Sequence, residues 1–170
     1  MGPDFGEFLY GLHCEHVLTR SVRDSAAMLD ATAGPDVGAP YYAVTPVRPF
    51  LSEVGADPGK LRIGFTSEPF LGATVDKGCV EALEATAKLC HDLGHEVVEA
   101  APQFDKKAFA EAFIRISCAE TRAVIEEGEV LLHCRASSKD FEPTTWVAGL
   151  LGRQWRAPEL SRSLHTVRVA

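Results

Sequence analysis

The sequence predicts an α/β fold with one βαβ unit and a helical C-terminal part, and three observations carry that reading. Leu61, Ile63 and Phe65 alternate with Arg62, Gly64 and Thr66, the period of two that gives a strand one apolar face. Cys79, Leu83, Ala87 and Cys90 then recur at helical spacing up to Gly94, and HEVVEA (95–100) follows as a second strand. Strand, crossover helix and strand in that order predict parallel pairing. Beyond residue 105 the apolar positions keep a helical period to the last residue.

Taken in order, His13 to Thr19 reads as extended, with Val17 and Leu18 expected to be buried. Ser21 followed by Asp24 forms a short capping box, so Ser21 is the expected N-cap. Val22, Ala26, Leu29 and Ala33 make a narrow stripe of small apolar residues, which Gly34 and Pro35 terminate. Residues 34–59 hold five prolines and four glycines and read as a long surface connection, with one short helical turn at Pro49-Phe50-Leu51. After the strand–helix–strand segment, Asp105 is placed to cap a long helix carrying Phe109, Phe113, Ile116 and Val124 on its apolar side. Pro143 and Pro158 are placed as the first residues of two more helices, the second opening a stripe of Leu160, Leu164 and Val167.

Composition narrows the function classes. The 170 residues, 46% hydrophobic and 24% charged, with mean hydropathy -0.01, are those of an ordinary globular chain. A net charge of -7 argues against a nucleic-acid partner, because phosphate binding needs clustered Lys and Arg. No apolar run approaches the roughly 20 residues that span a bilayer, so no membrane partner is expected and the expected compartment is the cytoplasm. Five cysteines, at 14, 79, 90, 118 and 134, are odd in number and lack paired spacing, which suits reduced thiols.

Self-sufficient chemistry is hard to find. HCEH (13–16) holds three ligand types, but in an extended segment His13 and Cys14 point to opposite faces, so no metal is expected there. Cys90, His91 and His95 straddle a helix end at Gly94 and are read the same way. None of the nine serines lies in a glycine-flanked elbow. GFTSEPFLG (64–72) leaves the carboxyl end of a strand, where open parallel sheets place ligand loops, but lacks dinucleotide spacing. Glu81, Glu84, Glu126, Glu127 and Glu129 read as solvated helix faces. Cys118, inside the long helix, packs as a small hydrophobe on its residue type alone.

Four segments laid end to end carry a resemblance: EHVLTRSVRDSAAMLDATAGPD, RPFLSEVGADPGKLRIGF, VEALEATAKLCHDLGHEVVEAAP and DFEPTTW. In order and spacing they resemble the amidase signature family across nearly the whole chain. Thr19, Arg20 and Asp24 match that family's Thr-Arg-x-x-x-Asp turn and helix. Within the family the chain resembles the 6-aminohexanoate cyclic dimer hydrolase-like branch, whose members act on linear or cyclic amides.

The resemblance implies an α/β/α sandwich with a mixed central sheet, and hydrolysis of carboxamide C–N bonds without metal or cofactor. It implies a serine nucleophile, a second serine in a cis peptide and a lysine, acting through an acyl-enzyme and a backbone oxyanion hole. The sequence contains no Gly-Gly pair and no Gly- and Ser-rich segment, and Lys60, Lys77 and Lys88 fall in the wrong part of the pattern. No catalytic residue is therefore carried over. Met1-Gly2-Pro3 aligns just after the nucleophile region, so residues 1–170 are expected to be an internal portion of a single amidase domain. That portion is expected to lack the N-terminal catalytic part and the C-terminal end, and to be inactive by itself. Cys118 is the one candidate substrate-binding residue, placed by the resemblance near the wall of the pocket. The complete enzyme is expected to take a small-molecule amide, and a homodimer of it is allowed. The competing expectation is a non-catalytic α/β module, or one half of a split enzyme acting as a binding partner.

Overall fold

The computed structural model describes residues 8–35, 37–39 and 41–170. Met1 to Gly2 and Pro3, aligned above with the end of a nucleophile region, lie outside them. The chain divides into two compact units, Met1–Gly59 and Lys60–Ala170.

In the first unit the main element is α1, Val22–Thr32. It starts where the sequence places it: the Ser21 hydroxyl accepts from the Asp24 N–H at 3.1 Å, satisfying one of the donors that a helix start leaves free. A single 3-10 turn, Phe50–Glu53, follows the proline-rich stretch. Asp30 on α1 binds the start of that turn with both carboxylate oxygens, accepting from the Phe50 N–H at 2.6 Å and the Leu51 N–H at 2.9 Å. Across the mouth of the turn Arg48 and Glu53 form a bidentate pair. Ala26 is buried, but Val22, Val17 and Leu18 are exposed, against expectation. Residues 13–19 pair with no strand among the described residues, and Val17 and Leu18 are left uncovered.

The second unit opens with β1, Arg62–Phe65, and α2, Lys77–Asp92, then β2, Glu96–Glu99. The two strands pair in parallel with Ile63 opposite Val97 and Phe65 opposite Glu99. Asp76 caps α2 through the Gly78 N–H at 2.8 Å. Its other end closes in a Schellman arrangement, in which Gly94 (φ 94°) donates to the His91 carbonyl and His95 to the Cys90 carbonyl. Glycine is needed at Gly94 because that left-handed φ strains any residue with a Cβ. Leu83, Ala87 and Cys90 are half-buried as the stripe predicts, whereas Cys79 is exposed in the first turn.

Three helices form the core of this unit: α3 (Lys106–Leu131), α4 (Pro143–Gly152) and α5 (Ala157–Val169). Asp105 caps α3 through the Ala108 N–H at 2.9 Å, and Pro143 is the first residue of α4. Pro158, expected as the first residue of its helix, lies second in α5: Ala157 already has helical backbone, and the missing proline N–H costs nothing at either of the first two positions. The buried residues of α3 are Ala112, Ile116, Cys118, Arg122 and Ile125, while Phe113 and Val124, expected on the apolar side, are exposed. The reason lies on α4. A Cβ built on Gly152 would stand 2.2 Å from the Cys118 carbonyl oxygen and 2.8 Å from the Arg122 Cβ. One built on Gly149 would meet Ile125 Cδ1 at 2.5 Å. Two glycines three residues apart thus let α4 lie directly on the α3 backbone, and that contact selects which face of α3 is covered.

The two positions differ in what yields. At Gly152 the obstacle is backbone, which cannot step aside; at Gly149 it is the tip of a flexible side chain. Gly152→Ala is expected to lower the urea midpoint by the equivalent of roughly 1–3 kcal/mol or more, the usual cost of overpacking. Gly149→Ala is expected to cost clearly less, and equal losses for the two variants would refute the close approach at Gly152.

Candidate functional site

The ends of the parallel strands bring the first group of polar side chains together. Beyond Phe65 and Glu99 the two chains leave the sheet side by side, and Thr66, Glu68, Glu99, Ala100, Ala101 and Gln103 line a cavity of about 470 Å³. The Thr66 hydroxyl accepts from the Glu68 N–H at 3.1 Å, and the Gln103 amide donates to the Ala101 carbonyl at 3.2 Å. Lys106 Nζ stands 3.7 Å from Glu68 Oε2. Phe70, Phe104 and Phe109 cluster nearby in sequence, with ring centroids 5.6–5.8 Å apart. The cavity occupies the strand-end position that the GFTSEPFLG segment predicts. It offers two carboxylates, an amide and one threonine hydroxyl.

A second group surrounds the end of α3. Arg122 is 7% exposed; its Nε donates to Glu126 Oε1 at 2.6 Å and its terminal nitrogen lies 3.5 Å from Glu129 Oε2. The other Glu129 oxygen accepts from the Ala136 N–H at 2.9 Å. Glu129 therefore holds the buried guanidinium on one side and the returning chain on the other. That return is made by a Schellman arrangement with His133 at φ 51°, the Cys134 N–H reaching the Glu129 carbonyl. Two cavities, of about 480 and 500 Å³, flank this knot and share Glu129, Cys134 and Arg135. Further along, Asp140 accepts from both the Ser137 hydroxyl and its N–H, which holds its carboxyl below the usual carboxylate range.

Glu126 is exposed, as the sequence reading has it, but Glu129, read there as solvated too, is half-buried against Arg122, which that reading passed over. The four- and seven-residue spacing from Arg122 to the two glutamates was the signal, since it puts all three on neighbouring positions of one helix. The metal candidates scatter. His13 pairs with Glu15 at 3.0 Å, and His95 Nδ1 accepts from the Leu61 N–H at 3.3 Å, tying the start of β1 to β2. Among the described residues no group of three or more His, Cys, Asp or Glu side chains converges on one point.

Among the described residues one hydroxyl stands beside a base. Ser25 Oγ lies 3.5 Å from His16 Nε2, at the limit of a hydrogen bond and in an exposed position. Lys77 and Lys88 are engaged in exposed ion pairs with Glu81 and Asp92, one turn along their own helix. Ser117 Oγ on α3 and Ser163 Oγ on α5 are buried without a hydrogen-bond partner among the described residues. Cys118 is 6% exposed, its carbonyl lies beneath Gly152, and burial pushes its thiol pKa up. A buried thiol with a raised pKa is a packing group, not an activated nucleophile.

A family model described as Amidase matches residues 6–166. The 6-aminohexanoate-cyclic-dimer hydrolase of Pseudomonas sp. (strain NK87) is 31% identical over 134 residues, 78% of this chain and 27% of that protein. A putative amidase of Synechocystis sp. is 35% identical over 113 residues, 65% of this chain and 21% of that one. The structure of 6-aminohexanoate cyclic dimer hydrolase complexed with substrate superposes with a TM-score of 0.79 at 28% identity, over 88% of this chain and 32% of that chain. The chain thus spans about a fifth to a third of the length of the relatives it matches. Among the described residues, no helix is long and apolar enough to cross a membrane.

The cysteines provide a direct check of the site geometry. Cys14, Cys79 and Cys134 are exposed and are expected to react with iodoacetamide under native conditions, whereas Cys118 reacts only after denaturation. Peptide mass mapping of the labelled sites decides, and alkylation of Cys118 as fast as Cys134 would show that its burial is wrong.

Proposed function

The chain belongs to the amidase family, and from that membership we propose that it is a portion of one amidase domain whose complete form hydrolyses carboxamide C–N bonds. The match that runs from residue 6 to residue 166 carries the proposal, because it joins both units of the chain in one family pattern. In this reading β1, α2 and β2 belong to a larger α/β/α sandwich with a mixed sheet, and α3, α4 and α5 buttress it. Relatives named for a cyclic amide dimer favour linear or cyclic amides as the substrate class.

The mechanism we assign to the complete enzyme is acyl transfer to a serine, assisted by a second serine in a cis peptide and by a lysine. What residues 1–170 contribute is scaffold. Their serines lie outside any Gly- and Ser-rich segment, and Lys77 and Lys88 are held in surface ion pairs. Cys118 enters as a residue of α3 beside the pocket wall of the complete enzyme, shaping it through packing without taking part in the chemistry.

The test is an amide assay. On a panel of linear and cyclic amides, the purified 170-residue chain is expected to give no turnover above background. Joined to a Gly- and Ser-rich segment with its lysine, the same residues are expected to give turnover that a serine-directed sulfonyl fluoride abolishes. Serine-dependent turnover by the 170 residues alone overturns the scaffold assignment, and an inactive joined enzyme overturns the amidase assignment.

A further inference from the structure

Of the two cavities beside the end of α3, the one of about 500 Å³ lies between that helix and the chain returning from it. Val124, Ile125 and Gly128 line it from α3, and Leu132, Arg135 and Phe141 line it from the returning segment. Gly128 is unusual in this setting. Glycine weakens a helix relative to alanine, so one placed within a helix calls for a physical reason. Gly149 and Gly152 have theirs in the close contact of α4 with α3. At Gly128 a Cβ would meet nothing within 4 Å, and the backbone is not left-handed. No contact among the described residues uses the missing side chain. Its effect is to leave the cavity open down to the helix backbone.

Charge gives the second observation. Three ionised side chains line this space, and two of them are already engaged. Glu129 holds Arg122 and the Ala136 N–H. One oxygen of Asp140 accepts from the Ser137 hydroxyl at 2.7 Å and from its N–H at 2.8 Å. Arg135 is exposed and has no ion pair among the described residues. A planar guanidinium matches a carboxylate through two parallel hydrogen bonds. An exposed ion pair is weak by itself, so apolar walls must supply the rest of the affinity.

We propose that this cavity is a binding site for a small monocarboxylate with an apolar body. Its carboxylate pairs with Arg135, and its hydrocarbon part fills the space above Gly128 against Val124, Leu132 and Phe141. A cationic ligand fits less well, because the carboxylates it would meet are those the chain already uses. The assignment goes beyond the amidase reading and uses nothing from it.

The experiment uses the 170-residue chain with hexanoate as the probe. Cys134 lines the cavity and is exposed, whereas Cys14 and Cys79 are exposed elsewhere and serve as internal controls. Hexanoate is expected to slow alkylation of Cys134 by iodoacetamide at least fivefold and to leave the two control thiols unchanged. Acetate, which has the charge without the body, should not protect. In isothermal titration, Arg135→Gln and Gly128→Leu should each weaken hexanoate binding at least tenfold. The first removes the charge at an exposed position, and the second fills the cavity where nothing obstructs a side chain, so both are expected to melt no lower than the parent. Arg23→Gln, on the exposed side of α1, should bind as the parent does. Absence of hexanoate binding overturns the proposal, as does protection of Cys134 by acetate to the same extent. Tighter binding of hexylamine than of hexanoate also overturns it, since Asp140 would then be the partner. Binding that survives both Arg135→Gln and Gly128→Leu places the ligand elsewhere and refutes the site.

Discussion

The structure of the larger unit depends on one close approach: the last turn of α4 lies on the Cys118 carbonyl because Gly152 has no side chain. With α4 there, Gly149 receives Ile125 and the buried line of α3 is fixed as Ala112, Ile116, Cys118, Arg122 and Ile125. Everything else on α3 follows from that choice. Ile116 is fully enclosed and, at about 1.5–3 kcal/mol for a buried side chain of its kind, is a large single contributor to this small core. Phe113 and Val124 are turned away from it.

The same choice puts a charge inside. Arg122 lies on the covered line, so its guanidinium must be compensated where it stands, since a buried unpaired cation costs several kcal/mol. Glu126 and Glu129 do this from the next turns, and Glu129 uses its second oxygen on the Ala136 N–H. The chain leaving α3 is therefore held by the group that neutralises Arg122. His133 accepts a left-handed backbone at that turn, a strain of roughly 1–2 kcal/mol for a residue with a Cβ, because the helix end and the Glu129 contact together determine its path. In the smaller unit Asp30 has the corresponding role, a carboxylate that binds two N–H groups twenty residues ahead.

These cases separate what the sequence makes legible from what it does not. Ser21 and Asp105 announce helix starts because their capping chemistry is local, the partner N–H lying three residues away, and Pro143 does so because its fixed φ suits the first helical position. The strands around Ile63 and Val97 are legible from alternation, and Gly94 from its place after a helical stripe. The buried side of α3 is not legible from its own periodicity, because Phe113 and Val124 are as apolar as Ile125 and the decision is made by two glycines some thirty residues ahead. The Asp30 and Glu129 contacts stay hidden for the same reason, each being a side chain satisfied by backbone that local spacing does not bring near. Val17, Leu18 and Val22 read as buried from their residue type, yet burial is a property of neighbours, and none of the described residues encloses them.

That last mismatch has a physical meaning of its own. The three-helix part has what a stable core needs: a glycine-mediated contact, a compensated charge and a capped start to its longest helix. The sheet has two short parallel strands, half-buried on one side, and hydrogen bonds between two strands alone are marginal in water. A sequence selected to fold by itself would place polar residues at Val98, Val130, Leu131 and Leu132, where apolar side chains gain nothing from exposure. Apolar residues at those positions are consistent with a chain whose environment includes more protein than these residues provide, and amidase relatives several times its length are that kind of environment.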